Sequence, residues 1–258
     1  MIVSATPRSF EVKKSVQIDV NVMKQASALS LVVPAPSLVT LHVADEERLF
    51  PVGRVFCIGR NYPWTEEEKT TVKVMPSWFM KPSTAVVQAE GNLPYPPETQ
   101  DFCHEVELVV AIGKGGNDIA PHHAEKEHVW GYAVGLDLTR RDLQQAAKKN
   151  GNSWEPAKAF DFSAPCSAIV PAVHCSSPSH NAIWLSVNGS IRQQAKISDL
   201  LFSVPELISM LSHSVTLLPG DLIFTGTPVG VGSLLANDVI EAGIDDIGKI
   251  SMRVTRSV

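Results

Sequence analysis

Three carboxylates interrupt two apolar runs in the middle of the chain, and they constrain its fold more than any other feature. The first run, EVELVVAI, begins with Glu105 and Glu107 and is rich in apolar and β-branched residues, which predicts a β-strand. The second run, VWGYAVGLDL, is also strand-like and carries Asp137 near its end. Because residues two apart on a strand share a face, the two glutamates are predicted to project from the same side.

These carboxylates predict a metal site. Two carboxylates side by side repel each other, and one of them would be driven towards protonation if no cation were near. Charged residues are seldom buried unless they are paired or bound to metal, and these three lie in core-like runs. A set of oxygen ligands suits Mg²⁺ or Mn²⁺, with Ca²⁺ as an alternative, better than it suits zinc. The competing interpretation is a solvated strand face, which a Glu-x-Glu pair most often forms.

Composition restricts the class of protein. The chain has 258 residues, of which 44% are hydrophobic, and a formal net charge of −5. These values are typical of a globular protein with a large core, and they argue against a nucleic acid or an acidic membrane as partner. The four cysteines lack metal-type spacing, which predicts reduced thiols. Reduced thiols indicate an intracellular protein, so a cytoplasmic location is expected, or a mitochondrial one in a eukaryote. No apolar run reaches the roughly 18 residues of a membrane span.

The order of elements predicts an α+β, β-rich fold. Residues 1–45 are expected to form an N-terminal extension with edge strands, and residues 46–258 to form the main domain. Asn188 and Gly189 separate two alternating runs and predict a β-hairpin. The polar, acidic segment 63–77 has a proline near each end, and we expect a loop or short helix that acts as a mobile lid.

Two segments are predicted to be helices. The segment SVPELISMLSHSV is amphipathic, and Pro205 at its start is favourable in a first helical turn. The segment 138–150 follows Asp137 directly, with Thr139 as the predicted cap and Gly151 as the C-terminal stop. The second helix would therefore begin beside the predicted metal ligands.

Seven motifs carry a resemblance to a known family. In chain order they are FCIGRNY, FMKPSTAVV, HEVELVVAIGKGG, GYAVGLDLTRRDLQ, WEPAKAFDFSAPC, WLSVNGSIRQQ and GDLIFTGTPVGVG. Together they resemble the fumarylacetoacetate hydrolase family over residues 29–254, and within it they look most like the fumarylpyruvate and other acylpyruvate hydrolases. The resemblance implies the β-roll of the family's C-terminal domain with flanking helices, a homodimer and a Mg²⁺ or Mn²⁺ ion. It also implies cleavage of a carbon–carbon bond in a small 2-keto or β-diketo acid.

The resemblance also implies roles for individual residues. The metal ligands would be Glu105, Glu107 and Asp137, which are the three acids already predicted from spacing. Lys158 would be the active-site lysine, although by itself it would be interpreted as a surface lysine. Substrate-binding roles are implied for Arg60, Asn61, Gln144, Gly226 and Thr227. Without the resemblance, Gln144 would be an exposed helix position, and Thr227 and its glycines a tight turn.

The chain departs from the family after its GRNY motif. Family hydrolases usually carry a histidine and then a glutamate there, as a pair that activates water, whereas this chain reads PWTEEEKTT. Thr65 stands near the expected histidine, and Glu66, Glu67 and Glu68 are candidates for the glutamate, of which Glu68 is chosen. The sequence thus predicts an acylpyruvate hydrolase of reduced or altered activity. The alternatives are an oxaloacetate decarboxylase, a 2-keto diacid tautomerase or isomerase, and a catalytically weak ligand-binding homologue.

Overall fold

A computed structural model describes residues 31–69, 74–175 and 177–256 of the chain. The chain divides into two compact units, Met1–Ser37 and Leu38–Val258. In the first unit only residues 31–37 are described, and they form neither helix nor strand. Residues 1–30 of the predicted extension lie outside the described part, so the boundary between 45 and 46 stays a prediction.

The second unit is built mainly from short strands. The strands of its first half are β1 (Thr40–His42), β2 (Leu49–Pro51), β3 (Val55–Gly59), β4 (Ser77–Lys81), β5 (Val86–Gln88), β6 (Glu90–Pro94), β7 (Phe102–His104), β8 (Val106–Ile112) and β9 (Val129–Leu136). Those of its second half are β10 (Thr139–Arg140), β11 (Ala164–Cys166), β12 (Val170–Pro171), β13 (Ala182–Val187), β14 (Ser190–Lys196), β15 (Leu222–Phe224), β16 (Gly232–Ser233), β17 (Val239–Ile244) and β18 (Gly248–Thr255). The helices are α1 (Pro121–His128), α2 (Arg141–Asn150), α3 (Glu155–Lys158) and α4 (Val204–Ser214).

The strands form two main sheets. The larger sheet has the order β4-β3-β15-β8-β9-β11-β5, with β12 paired to β9, and the smaller has the order β14-β13-β17-β18-β6. Every residue of β8 is buried, because side chains on both faces of this central strand pack into hydrophobic clusters. Leu108 and Val110 belong to one cluster, while Val109 and Ala111 belong to the other. This strand-rich architecture with few helices confirms the predicted α+β, β-rich fold.

The pairing of β8 with β9 positions the acidic residues. The strands are antiparallel with Val106 opposite Leu136, and the next residue pair outward is Glu105 and Asp137. The amide of Asp137 donates a hydrogen bond to the carbonyl of Glu105, with 2.9 Å between nitrogen and oxygen. The two acids, which are far apart in the chain, therefore lie side by side at one end of this ladder.

The predicted turns and helix ends are mostly confirmed. Asn188 and Gly189 have φ angles of 52° and 76° and join β13 to β14, as expected of a two-residue hairpin. Gly151 ends α2 in the left-handed conformation, and its amide donates to the carbonyls of Ala147 and Lys148. The prediction that Thr139 caps α2 is wrong. Residues 139 and 140 form strand β10 against β7, so the helix begins at Arg141.

The remaining features agree with the composition. All four cysteines are free thiols. In α4, Ser203 and Glu206 form a reciprocal capping box, and Pro205 lies in the first turn as predicted. None of the helices in the described residues is long and apolar enough to cross a membrane.

Candidate active site

Glu105, Glu107 and Asp137 converge at the end of the β8–β9 ladder. Each of them offers a carboxylate oxygen that lies within 4.8 Å of those offered by the other two, and all three residues are buried. Glu107 is the second residue of β8, while Glu105 and Asp137 lie just outside the paired strands. Alternation along β8 and the register with β9 thus bring together the three acids that the sequence singles out.

Two buried lysines contact these carboxylates. The Nζ atom of Lys158 donates hydrogen bonds to Glu105 Oε2 at 2.9 Å and to Asp137 Oδ2 at 2.7 Å. The Nζ atom of Lys81 lies 2.9 Å from Asp137 Oδ1 and donates to the carbonyls of Leu138 and Lys158. Burial by itself raises the pKa of Asp137, but the charges of Lys158 and Lys81 outweigh it, so the pKa of this carboxyl is lowered.

Glu107 is held differently from the other two acids. Its Oε2 accepts a hydrogen bond from the amide of Gly226 at 2.7 Å, and no cationic side chain forms an ion pair with it in the part of the chain described. Burial, and then the nearby charges of Asp137 and Glu105, raise the pKa of Glu107 well above its ordinary value. A carboxylate in this environment is stabilised as an anion only if a further positive charge binds beside it.

The donor set fits a divalent cation. Asp137 Oδ1 is buried and accepts no hydrogen bond with proper alignment, although Lys81 lies close to it. A cation bound between the carboxylates would use this oxygen and would compensate the charge of Glu107. Carboxylate oxygens are hard ligands, which Mg²⁺, Mn²⁺ and Ca²⁺ prefer.

The first turn of α2 supplies a further cation that sequence reasoning missed. Arg141 donates hydrogen bonds to Glu105 Oε1 and, at 2.5 Å, to Gln144 Oε1. Thr139, which was expected to cap the helix, instead donates its hydroxyl to Glu105 Oε1 at 3.0 Å. The helix therefore starts where it can hold one predicted metal ligand and one predicted substrate-binding residue together.

A cavity of about 730 Å³ opens over the three acids. Of the residues predicted from the sequence, its walls include Arg60, Glu105, Glu107, Asp137, Gln144, Lys158 and Thr227. Arg141, Trp64, Trp154 and Lys148 also line it, so its surface is both basic and aromatic away from the acids. No histidine is among the described residues that line this cavity.

The turn containing Gly226 and Thr227 is fastened to the start of β8. The hydroxyl of Thr227 donates to the carbonyl of Val106 at 2.8 Å and accepts from Gln193 Nε2 at 2.8 Å. The Gln193 side-chain oxygen in turn accepts from the amide of Val106 at 3.1 Å. Gly226 has a φ of 103°, and a Cβ atom there would lie 2.7 Å from Asn61 Cβ, so the turn requires glycine.

Asn61 does not reach the cavity, contrary to the prediction that it binds substrate. Its side chain is fully buried, and its Nδ2 donates to the carbonyls of Phe202 and Thr225 at 2.9 and 2.8 Å. Its Oδ1 accepts from the amide of Phe202 at 2.8 Å. The carboxamide is therefore saturated by backbone partners, and the residue joins three segments of the fold.

An ion pair joins Glu68 of the predicted lid to Arg60, which precedes the lid. Glu68 accepts from Arg60 Nη2 at 2.5 Å and from the amide of Trp64 at 2.8 Å, and the guanidinium of Arg60 lies 4.6 Å from the centre of the Trp64 ring. The Trp64 amide, assisted by Arg60, lowers the pKa of the Glu68 carboxyl against the opposing effect of burial. Thr65 lies on the wall of an adjacent cavity of about 320 Å³ and does not line the larger one.

The rest of the predicted lid contains one short helix in its described part. A short 3₁₀ helix spans Glu66–Lys69, which agrees with the predicted short helix. The side chain of Glu66 and residues 70–73 lie outside the part of the structure that is described. Glu67, the remaining candidate for the water-activating acid, is exposed.

Lys81 and Gln193 were also missed by sequence reasoning. A signal for Lys81 exists, because it ends the apolar run WFM, where a lysine whose side chain turns into the core needs an acidic or carbonyl partner. Gln193 gives no such signal, since alternation within the hairpin places many glutamines on solvated faces. Its complete burial becomes evident only in the folded chain.

Residues 54–255 match the sequence model of the fumarylacetoacetate (FAA) hydrolase C-terminal domain. The chain belongs to the fumarylacetoacetate hydrolase family. The family resemblance drawn from the seven motifs is thereby confirmed, and the protein is an enzyme of this family.

Relatives within the fumarylacetoacetate hydrolase family have different activities. The chain is 45% identical over 204 residues to the mitochondrial oxaloacetate tautomerase FAHD1 of Mus musculus. The aligned region covers 79% of this chain and 92% of that protein. It is 41% identical over 177 residues to a fumarylpyruvate hydrolase of Ralstonia sp, covering 69% of this chain and 91% of that one. The crystal structure of fumarylpyruvate hydrolase from Pseudomonas aeruginosa in complex with Mn²⁺ and pyruvate superposes with a TM-score of 0.83 at 43% identity, covering 88% of this chain and 100% of that one.

Proposed function

We propose that this protein hydrolyses an acylpyruvate, a β-diketo acid such as fumarylpyruvate, to pyruvate and a carboxylic acid. The observation that carries the proposal is Lys158, which bridges Glu105 and Asp137 beneath a cavity of about 730 Å³. A buried cation fixed beside three carboxylates is suited to stabilise a substrate oxygen that gains negative charge. Such an oxygen forms when pyruvate leaves as its enolate.

The three carboxylates are proposed to hold Mg²⁺ or Mn²⁺. The bound ion would supply Lewis-acid stabilisation of negative charge on substrate oxygens. Support comes from the fumarylpyruvate hydrolase of Pseudomonas aeruginosa, which was crystallised with Mn²⁺ and pyruvate. The predicted homodimer and the predicted cytoplasmic location remain proposals as well.

Lys158 is proposed to act as a permanent cation and not as a base. Burial by itself would lower its pKa, but the charges of Asp137 and Glu105 reverse this effect and raise the pKa above its ordinary value. The ammonium therefore stays protonated over the whole physiological range. Gln144 and Arg141, joined by their hydrogen bond, would orient the carboxylate end of the substrate from the first turn of α2.

Attack of water on the distal carbonyl is the step for which the site is least well equipped, because it needs a general base. A positioned general base contributes about 10²–10⁴-fold, and its pKa should lie near the working pH. Glu68 is a poor base, because the Trp64 amide and Arg60 lower the pKa of its carboxyl. We therefore expect hydrolysis of acylpyruvates to be slower than exchange of the C3 protons of pyruvate, because the exchange passes through the same enolate without attack of water.

A second candidate function is tautomerisation of a 2-keto diacid such as oxaloacetate. The observation that favours it is the lack of a histidine among the described residues of the cavity wall. Tautomerisation requires only proton removal and return next to the keto group, and so does not need an activated water. Decarboxylation of oxaloacetate would use the same stabilised enolate.

Proton NMR in deuterium oxide tests both candidates in one experiment. Wild-type protein with Mg²⁺ or Mn²⁺ should exchange the methyl protons of pyruvate and release pyruvate from an acylpyruvate. Interconversion of the keto and enol forms of oxaloacetate without release of pyruvate from acylpyruvates would support the tautomerase instead. Absence of all three reactions, in spite of tight oxalate binding, would contradict both proposals and favour a ligand-binding homologue.

Thr65→His is expected to raise acylpyruvate hydrolysis by up to about 10²-fold, the lower end for a general base. The lid must first move Thr65 from the adjacent cavity to the larger one. The pH profile should gain a rising limb near the unperturbed histidine pKa of about 6.5, because only the neutral imidazole accepts a proton. Steady-state rates between pH 5 and 8 would measure this.

Thr65→Asn is the matched control, since it adds a polar side chain of similar size that does not titrate. It should leave both the rate and the pH profile unchanged. Fast hydrolysis by the wild-type protein would show that another base already operates, and the argument from the lid would then fail.

A further inference from the structure

One face of α2 forms a continuous wall of the cavity. Arg141, Gln144, Gln145 and Lys148 all line it, and they are spaced three, four and seven positions along the helix. Residues with this spacing lie along one stripe, and seven residues of helix rise by about 10 Å. The stripe therefore runs from Arg141, which contacts a metal ligand, towards Lys148 at the exposed end of the cavity.

Within the described residues, Lys148 differs from the other cations that line the cavity, because it has no acidic partner. Arg60 is paired with Glu68, Arg141 is paired with Glu105, and Lys158 is paired with Glu105 and Asp137. Among the described residues, the ammonium of Lys148 contacts no carboxylate.

The ammonium of Lys148 instead lies 4.8 Å from the centre of the Trp154 ring. A cation held over an indole face is kept in place by a weak attraction, which an anion can replace.

The local electrostatics favour an anion beside Lys148. Its pKa is lowered by partial burial and then by the positive charges of Arg141 and Lys158, with Glu105 opposing them. A carboxylate bound at this end of the cavity would relieve that repulsion. The end of the cavity at Lys148 thus carries a positive charge that no neighbouring carboxylate balances. This end lies along α2, away from the predicted metal ligands.

We propose that Lys148 binds a terminal carboxylate on the acyl group of the substrate, and so makes the enzyme selective for acylpyruvates that are diacids. The inference rests on the proposed function, in which the keto acid end of the substrate lies at Gln144 and the carboxylate cluster. A long diacid places its second carboxylate far enough along α2 to meet Lys148. An acyl group that ends in a methyl cannot form an ion pair with the Lys148 ammonium, and a short keto diacid does not extend to it.

Lys148→Met tests the inference, because it keeps the aliphatic stem over Trp154 and deletes the charge. We expect kcat/KM for fumarylpyruvate to fall about 10- to 100-fold, the usual effect of losing a charge-assisted hydrogen bond. The value for acetylpyruvate, which lacks the second carboxylate, should change less than about 2-fold. The matched control is Lys149→Met, on the same helix and with the same change of charge, which does not line the cavity and should affect neither substrate.

A binding measurement separates this inference from the proposed function. Titration calorimetry with 2-oxoadipate and 2-oxohexanoate compares two ligands that differ only in the terminal carboxylate. Wild-type protein loaded with Mn²⁺ should bind the diacid about 10-fold more tightly or better, and Lys148→Met should abolish that preference.

Equal affinities in the wild type, or a preference that survives in Lys148→Met, would overturn the inference and leave the proposed hydrolase intact. A preference that depends on Lys148 in a protein that turns over neither acylpyruvate would overturn the hydrolase, while the diacid subsite would stand.

Discussion

Glu107→Gln is expected to abolish the stabilisation of the protein by Mg²⁺ or Mn²⁺. A ligand that binds only the folded state raises the free energy of unfolding by about 2.7 kcal/mol at a concentration of 100 times its Kd. Gln removes one negative charge from the three-carboxylate cluster and retains an oxygen that can accept the hydrogen bond from the Gly226 amide. The thermal transition of the variant should therefore no longer move when metal is added.

Without metal, Glu107→Gln should be more stable than the wild-type protein near pH 7. Because burial and two neighbouring carboxylates raise the pKa of Glu107 in the folded state, the folded protein holds a proton that the unfolded chain has already released. The free energy of unfolding of the wild type should then fall as the pH rises above the ordinary glutamate value of about 4.3. Glu107→Gln should lose this slope, and it should be the more stable of the two proteins near pH 7 when chelator is present.

Urea unfolding at several pH values, with and without Mg²⁺, would measure both effects. Glu241→Gln is a suitable control, because Glu241 lies on strand β17 with an exposed side chain and should leave both the metal response and the pH slope unchanged. A wild-type protein that binds no metal by elemental analysis, with no shift on adding Mg²⁺, would refute the three-carboxylate site.

Lys158→Met is expected to lower kcat about 10²- to 10³-fold, the range found when one preorganised group that stabilises transition-state charge is removed. The ammonium donates to both Glu105 and Asp137, so its position is fixed before substrate binds. Because the charge on the substrate oxygen develops mainly in the transition state, KM should change much less than kcat. Deuterium exchange into pyruvate and hydrolysis of an acylpyruvate should both be slowed.

The stability of this variant needs a separate measurement. Two buried carboxylates lose a shared cation, and breaking a buried pair in this way costs about 3–5 kcal/mol unless a bound ion compensates. Kinetics should therefore be measured with saturating Mn²⁺ on protein whose folding is verified by circular dichroism. Lys158→Arg keeps the charge with a different shape and should retain more stability than activity. An unchanged kcat in Lys158→Met would leave this lysine with a purely structural role.

Much of the site was predictable from local patterns. Alternation along EVELVVAI places Glu105 and Glu107 on one face, and carboxylates within apolar runs indicate paired or metal-bound charge. The hairpin at Asn188-Gly189 and the end of α2 at Gly151 follow from backbone conformations that glycine and asparagine adopt at little cost. These are properties of short segments, so the sequence determines them without knowledge of the partners.

The partners of these segments were decided only by the tertiary structure. Lys81 contacts Asp137, and Gln193 contacts Val106, because the fold brings together segments that are far apart in the chain. Thr139 has the sequence of a helix cap, yet pairing of β10 with β7 turns its hydroxyl to Glu105.

The family motif in which Asn61 stands suggested a substrate contact, whereas three backbone groups occupy its carboxamide. Sequence alone thus determined which residues carry charge and which face of an element they share. Folding decided which charged side chains pair with one another and which, like Glu107 and Lys148, form no ion pair within the described residues, because that outcome depends on distances between segments that no local pattern encodes.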